Sequence, residues 1–368
     1  MQKIKGVNLG NWLVLEKWME PAMFDGVEAE DETWLNRRAD KEMLRERMKK
    51  HRDTYVEEKD FRFLKETGIT HVRIPVPYFI FGDREPFIGC IEYLDKAFDW
   101  AEKYEIKVLI DLHTTPGSQN GYDNGGICGV CKWHKDRDEV EFVLEVLKKL
   151  AQRYKDRKGL FGIEVVNEPI SFPVYMTSPT HNKWVNPEEG KGSSFVPMSF
   201  LKPFYKRAYD ELRKILPKEA AIVFHDGFRL SSWNGFFKKN KMENVFLDTH
   251  IYIFAMENFV PIHKPWVYKA YLWIDKMRLK HTGKAIPVIV GEWCICNRYA
   301  ANESLEEVER KKRFLEVSEI EQIAWDETAG WFYWNYQLLR DEVTPTDEYF
   351  KESWDFKRNI KRGWLSIH

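Results

Sequence analysis

The chain lacks most features that would announce its class at once. No run approaches the ~20 apolar residues that a helix needs to cross a membrane, so no membrane partner is expected. No long run of one charge is present either: 57 Lys and Arg stand against 58 Asp and Glu, a formal net charge of −1. That balance argues against a nucleic-acid partner. The basic cluster Arg45 to Arg52 is interrupted by Glu46 and reads as one solvated helix face. There is no internal repeat of roughly 20–50 residues and no Pro/Ser-rich linker, so residues 1–368 are read as one domain. Cysteine is scarce and odd in number, five in all, which does not suit the disulfide framework of a secreted protein. The opening MQKIKGVNLG has neither the apolar segment nor the small-residue cleavage site of a signal peptide. Together these set the expectation of a cytoplasmic protein with reduced thiols.

What is plentiful is aromatic: 15% of the chain, including 15 Trp. Aromatic faces pack against the C–H faces of sugars, and the polar tips of Trp and Tyr hydrogen-bond hydroxyls. Core packing accounts for most of these rings, and those near strand ends are the candidates for a ligand.

Two stretches carry chemistry. Leu160 to Pro169 reads LFGIEVVNEP, a β-branched run of the kind that forms a strand buried on both faces. It stops on Asn167 and Glu168, and Pro169 ends the ladder because it has no N–H to donate. Burial of Glu168 at that strand end is expected to raise its pKa and make it a general acid. Ile286 to Trp293, IPVIVGEW, repeats the pattern and delivers Glu292 at the same end of a second strand. Glycoside hydrolysis needs two carboxylates flanking one bond.

Along the chain, strand-like runs alternate with helical ones. Strands are expected at Ile4–Leu9, Thr70–Val76, Ile106–Leu112, from Leu160, at Ala220–His225, within Asn244–Tyr252, from Ile286 and at Ala329–Tyr336. Helical spacing fills the intervals, including Ile91–Tyr104, Asp138–Tyr154, Phe200–Leu216, Trp266–His281 and Leu305–Asp326. Thr54 is placed as the cap of a helix running to about Thr67, with Glu57 completing a capping box. Residues 171–199 bear Pro, Ser and Gly and read as a long loop, and the charged, aromatic tail as a last outer helix. Eight such alternations argue for an α/β fold, a single (β/α)8 TIM barrel with extended βα loops. Its active site belongs at the carboxyl ends of the strands. The polar strand-end residues then form one set: Arg73, His113, Asn167, Glu168, His250, Tyr252, Glu292 and Trp334.

Those residues, in that order, resemble family 5 of the clan A glycoside hydrolases. Closer still, GVNLGNWLVLEKWMEPAMF (Gly6–Phe24), KHRDTYVEEKDF (Lys50–Phe61), HVRIPV, DLHTTPGSQNGYDNGG (Asp111–Gly126) and GWFYWNYQ (Gly330–Gln337) resemble the fungal-type exo-β-1,3-glucanases. The resemblance implies a retaining hydrolase acting on short β-linked oligosaccharides, with Glu168 as acid/base, Glu292 as nucleophile and the two carboxyl groups about 5 Å apart. It implies that Arg73 keeps Glu292 ionised and that His113 bonds sugar hydroxyls or the carboxylate network. It further implies that Asn167 bonds the sugar 2-OH, Tyr252 donates to Glu292, His250 orients the acid/base and Trp334 floors the site. Glu16 with Tyr122, Asp123 and Asn124 would close one end of the cleft around the terminal glucose, giving exo action. No cofactor is implied, and no feature sets an oligomeric state.

The chain departs from that pattern in several loops. The exo-glucanases carry an aromatic clamp for the leaving sugar after the residue matching Tyr252; here Ala255 falls at that place and Phe254 one residue early. CICNRYAAN after Glu292, the loop Cys128–His134 and the 171–199 loop are also different. A β-mannosidase, and a non-catalytic carbohydrate-binding barrel, therefore stand beside the β-glucosidase reading. Cys128, Cys131, Cys294 and Cys296 fall at the active-site face, where free thiols, a disulfide or a metal site are all compatible with the spacing.

Overall fold

The computed structural model describes residues 3–339 and 348–367. Its strands are β1 (Ile4–Asn8), β2 (His71–Val76), β3 (Lys107–Leu112), β4 (Leu160–Glu164), β5 (Ala221–His225), β6 (Val245–His250), β7 (Val288–Trp293) and β8 (Gly330–Tyr333). They run parallel in sequence order and close by pairing β8 with β1, as the (β/α)8 reading requires. Closure has a register: Val7 lies beside Val72 on one side and Tyr333 on the other. Parallel strands covered on both faces need apolar residues in succession, and β5, β6 and β7 are buried throughout.

The helices supply the outer cover. Ile91–Lys103 buries Tyr93, Leu94, Ala97, Phe98 and Ala101, the three- and four-residue spacing of one helix face. Arg137–Tyr154, Met198–Arg213, Pro265–Gly283 and Glu307–Trp325 cover other strands.

Inside the barrel the strands change character along their length. Toward their starts, Ile4, Leu109, Ala221, Val223, Phe246, Ile289 and Phe332 form an apolar plug. The Phe332 ring lies where a Cβ on Gly6 would be, 2.2 Å away, so β1 must present a glycine there. Further along, β2, β3, β4 and β6 turn Arg73, Asp111, Glu164 and Asp248 into the interior, all fully buried.

Two local expectations need correction. Thr54 ends a helix rather than starting one: Lys41–Thr54 is a single helix capped by Asp40, and the Thr54 hydroxyl donates back to Lys50 O at 2.9 Å. The following helix, Glu58–Glu66, begins at Glu57, whose N–H donates to Asp60 Oδ2 at 2.9 Å. The 171–199 segment is also more than a loop. It contains helices Phe172–Thr177 and Pro187–Gly190. Arg37 grips Glu189 with two 2.8 Å bonds, and Ser194 N–H reaches Cys131 O at 3.0 Å. Such tethers remove the freedom that its composition suggested.

Candidate active site

Arg73 organises the site from below. It is fully buried, so each of its N–H groups needs an acceptor. Nε donates to Glu164 Oε2 at 2.7 Å, Nη1 to Asn8 Oδ1 at 2.9 Å and Glu292 Oε1 at 3.0 Å, and Nη2 to Asn167 Oδ1 at 2.8 Å. Asp111 Oδ2 lies 3.1 Å from Nη2. One guanidinium cannot neutralise this many carboxylates. Burial, with Asp248 and Asp111 as like-charged neighbours, pushes the Glu164 carboxyl well above its usual range in spite of Arg73. Glu164 is thereby biased toward its neutral form.

Glu168 follows β4 with φ at 44°, the left-handed region that costs a non-glycine residue on the order of 1–3 kcal/mol. Two contacts hold its carboxylate there: His250 Nδ1 at 2.8 Å from Oε1, and Asn124 Nδ2 donating to Oε2 at 3.1 Å. Glu292 ends β7 and is held from both sides, by Arg73 on Oε1 and by Tyr252 Oη donating to Oε2 at 2.7 Å. The same His250 Nδ1 is 3.4 Å from Glu292 Oε2. One imidazole edge thus touches both carboxylates, so their nearest oxygens cannot be farther apart than the sum of 2.8 and 3.4 Å.

The charges within this group are coupled. Burial opposes a cation at His250, but the charges of Glu292 and Asp248 and the bonds to Asp248 and Glu168 lift its pKa well above the usual imidazole range. Burial pushes Glu168 up as expected from the sequence, yet the bonds from His250 and Asn124 and the charge on His250 outweigh it, and the net direction is down. This overturns the sequence expectation of a raised Glu168. Burial raises Glu292, and the Glu168 charge adds to it, while His250 and Arg73 only partly offset the rise. The two shifts both favour charge on the pair, imidazolium at His250 and carboxylate at Glu168.

Around this pair, a cavity of about 940 Å³ opens at the strand ends, lined in part by Glu16, Tyr122, Asn124, Glu168, Tyr252 and Trp334. His250 and Glu292 also reach its wall. Arg73, His113 and Asn167 are fully buried. His113 Nδ1 lies 2.5 Å from Asp111 Oδ2, and the ring stacks on Trp334, ring centres 5.5 Å apart. Asn167 Nδ2 is 3.4 Å from His113 Nε2. On the cavity wall, Glu16 Oε2 accepts from Trp18 Nε1 at 2.8 Å. Burial and the neighbouring Asp123 push the Glu16 carboxyl well up, and burial raises Asp123 to about 6. The resemblance assigned Asn124 to the terminal sugar; here it also bonds Glu168.

Sequence reasoning missed Trp18, Trp354, Glu164 and Asp248. Glu164 and Asp248 were visible as charges inside β-branched runs, the same signal that drew notice to Arg73. Trp354 lies in the tail taken for an outer helix, but its ring packs 5.3 Å from Tyr252 and 5.4 Å from Trp18 at the cavity wall. No local pattern distinguishes such a ring from a core one. Two buried groups, Glu168–His225–His250 and Glu164–Asp248–His250, bring ligand-type atoms together. Arg73 already supplies positive charge to the second, and the first is closed by the Glu168–His250 bond. All five cysteines are unpaired, and four of them are buried.

A (β/α)8 barrel that brings two carboxylates to one imidazole at its strand ends holds the pair of groups with which a retaining glycoside hydrolase flanks the bond it breaks. The sequence matches the cellulase family, glycosyl hydrolase family 5, over residues 37–337. The chain belongs to that family and is a glycoside hydrolase. It is 33% identical to the probable glucan 1,3-beta-glucosidase A of Emericella nidulans, covering 91% of this chain and 85% of that one. It is 36% identical to the glucan 1,3-beta-glucosidase of Blumeria graminis, over 79% of this chain and 64% of that one. Among solved structures, the rutinosidase of Aspergillus niger superposes with a TM-score of 0.77 at 20% identity, covering 98% and 97% of the two chains.

Proposed function

We propose that the chain is an exo-acting β-glucosidase that removes terminal glucose from short β-1,3-linked oligosaccharides by double displacement. The observation that carries the reading is the single His250 Nδ1 in contact with both Glu168 and Glu292. The names of the curated relatives, glucan 1,3-beta-glucosidases, support glucose over the mannoside alternative.

In this reading Glu292 attacks the anomeric carbon, and the bond from that carbon to the glycosidic oxygen breaks as Glu168 protonates the leaving oxygen. Water then attacks the glycosyl–Glu292 ester, losing its proton to Glu168 and freeing the carboxylate. Arg73 and Tyr252 stabilise the negative charge that Glu292 carries before attack and regains on release. His250 Nδ1, 2.8 Å from Glu168 Oε1, is placed to hand Glu168 the proton it delivers. Trp334 floors the reacting sugar while Asn167 meets its 2-OH. Glu16, Trp18, Tyr122 and Asp123 close the far end, which supports removal of single terminal units. The same proposal includes a cytoplasmic setting, supported by five unpaired thiols.

The test is product analysis on laminaribiose, laminaritriose, cellobiose and 4-nitrophenyl β-mannoside, with proton NMR of the first product formed. Release of β-glucose, one unit at a time from the non-reducing end, is expected. Initial α-glucose would overturn retention, internal cleavage would overturn exo action, and preferential mannoside turnover would overturn the sugar.

A further inference from the structure

The cavity is larger than a terminal sugar site needs. Its volume of about 940 Å³ lies near the top of the range for pockets that bury a drug-sized ligand, roughly 300–1,000 Å³. Besides Glu168, the cavity is lined by Val174, Phe228, Phe254, Ala255 and Phe259, which the glucosidase reading assigns to the leaving-group side. Ala255 stands where the resembled enzymes carry one jaw of a sugar clamp, and its small side chain leaves the wall wider at that point.

Two hydroxyls of this region are engaged within the chain. Thr177 Oγ1 donates to Pro173 O at 3.0 Å within its own helix. Ser178 Oγ shares a hydrogen bond with Thr180 Oγ1 at 2.9 Å. Asn258, Tyr271 and Lys351 are further polar side chains of the cavity wall. A second sugar needs several donors and acceptors to replace water at its hydroxyls; methyl groups and ring faces cannot supply them. Phe259 adds a second sign. It is 75% exposed at the mouth of the cavity, an apolar ring held in water until something covers it.

We propose that this side of the site accepts an apolar aglycone, an alkyl chain or plain aromatic ring β-linked to the terminal glucose, and binds it more tightly than a second sugar. The inference rests on the glucosidase reading above and adds the class of leaving group. Phe259 and Val174 would flank the aglycone, and the space at Ala255 admits its width.

The alkyl series methyl, butyl and octyl β-glucoside tests this, because the basicity of the leaving oxygen hardly changes along it while the buried chain grows. Below the micelle concentration of the octyl compound, kcat/KM is expected to rise at least ~10-fold from methyl to octyl, since each buried methylene favours binding. Phe259→Ser and Ala255→Phe are expected to flatten that rise. Phe259 is exposed, so its replacement leaves the fold intact. A flat wild-type series alongside brisk laminaribiose turnover would overturn the aglycone proposal and leave the glucosidase reading standing. An unchanged rise in both variants would also overturn it. Failure to cleave any β-glucoside, laminaribiose included, would remove both readings.

Discussion

The same barrel strands build two interiors of opposite kind. Near their starts, Ile4, Leu109, Val223, Phe246, Ile289 and Phe332 pack without a polar atom to satisfy. Two to four residues further along, β2, β3, β4, β6 and β7 present Arg73, Asp111, Glu164, Asp248 and Glu292, every one of them buried. The lower layer is stable by removing apolar surface from water and filling space. The upper layer loses hydration and recovers it only through paired charges and hydrogen bonds. Stability is thus concentrated below, and reactivity above, where an incompletely balanced set of charges can pass a proton.

The comparison breaks first at the carboxylates. Glu292→Gln is expected to lower kcat by more than ~10⁴-fold while the folded state persists, because the lost group forms the covalent bond, while the amide oxygen still accepts from Arg73 and its NH2 can donate to the Tyr252 hydroxyl oxygen. Steady-state assay beside a thermal melt checks both halves. Glu168→Gln should cost ~10²–10⁴-fold on laminaribiose. It should cost far less on 2,4-dinitrophenyl β-glucoside, whose leaving oxygen needs no proton; equal losses on both substrates would deny Glu168 the acid role.

Phe332→Ala in the plug is the reverse case. It should destabilise the fold by ~3–5 kcal/mol in urea titration, with kcat of the remaining folded protein nearly unchanged. A large loss of kcat would mean that the two layers are mechanically coupled.

A third environment sharpens the contrast. Glu32 is a buried carboxyl that accepts from Leu15 N–H at 3.0 Å, and burial, opposed mainly by that bond and only secondarily by Arg52, raises its pKa to about 7. The native state therefore binds a proton that the unfolded chain releases near pH 4.5. Its contribution is fully present at low pH and is lost as pH rises from about 4.5 through 7. Glu32→Gln should remove that slope and raise stability at pH 8 by about 1–3 kcal/mol. An unchanged slope would place the titration elsewhere.

The smallest effect is expected at Glu164, whose carboxyl burial pushes up beside Arg73. Glu164→Gln keeps the acceptor for Nε and should shift stability by less than ~1 kcal/mol between pH 5 and 8. Loss of ~3–5 kcal/mol would instead mark it as one half of an ionised buried pair.

Much of this was legible in the residues alone. The strand order, the closed barrel and the ends of β4 and β7 followed from β-branched runs that stop on polar residues. Sequence spacing cannot reveal which distant strand ends meet. Thr54 shows the local limit: its hydroxyl could serve the next helix or its own, and the structure uses it to bond Lys50. Glu168 shows the long-range one. Its burial was predicted, but the sign of its pKa depended on His250, which lies 82 residues further along the chain and bonds it across the barrel.

By itself, then, the sequence determined the class of fold, the two carboxylates and the family, because these rest on periodicity and on residues kept in order within short motifs. Only the tertiary structure decided which way the pKa of each carboxyl moves, that one imidazole touches both carboxylates, and that Trp354 from the tail and the apolar wall from Val174 to Phe259 share one cavity. Those outcomes depend on distances between segments far apart in the chain, and the Coulomb and desolvation energies that set them exist only once barrel closure has excluded water.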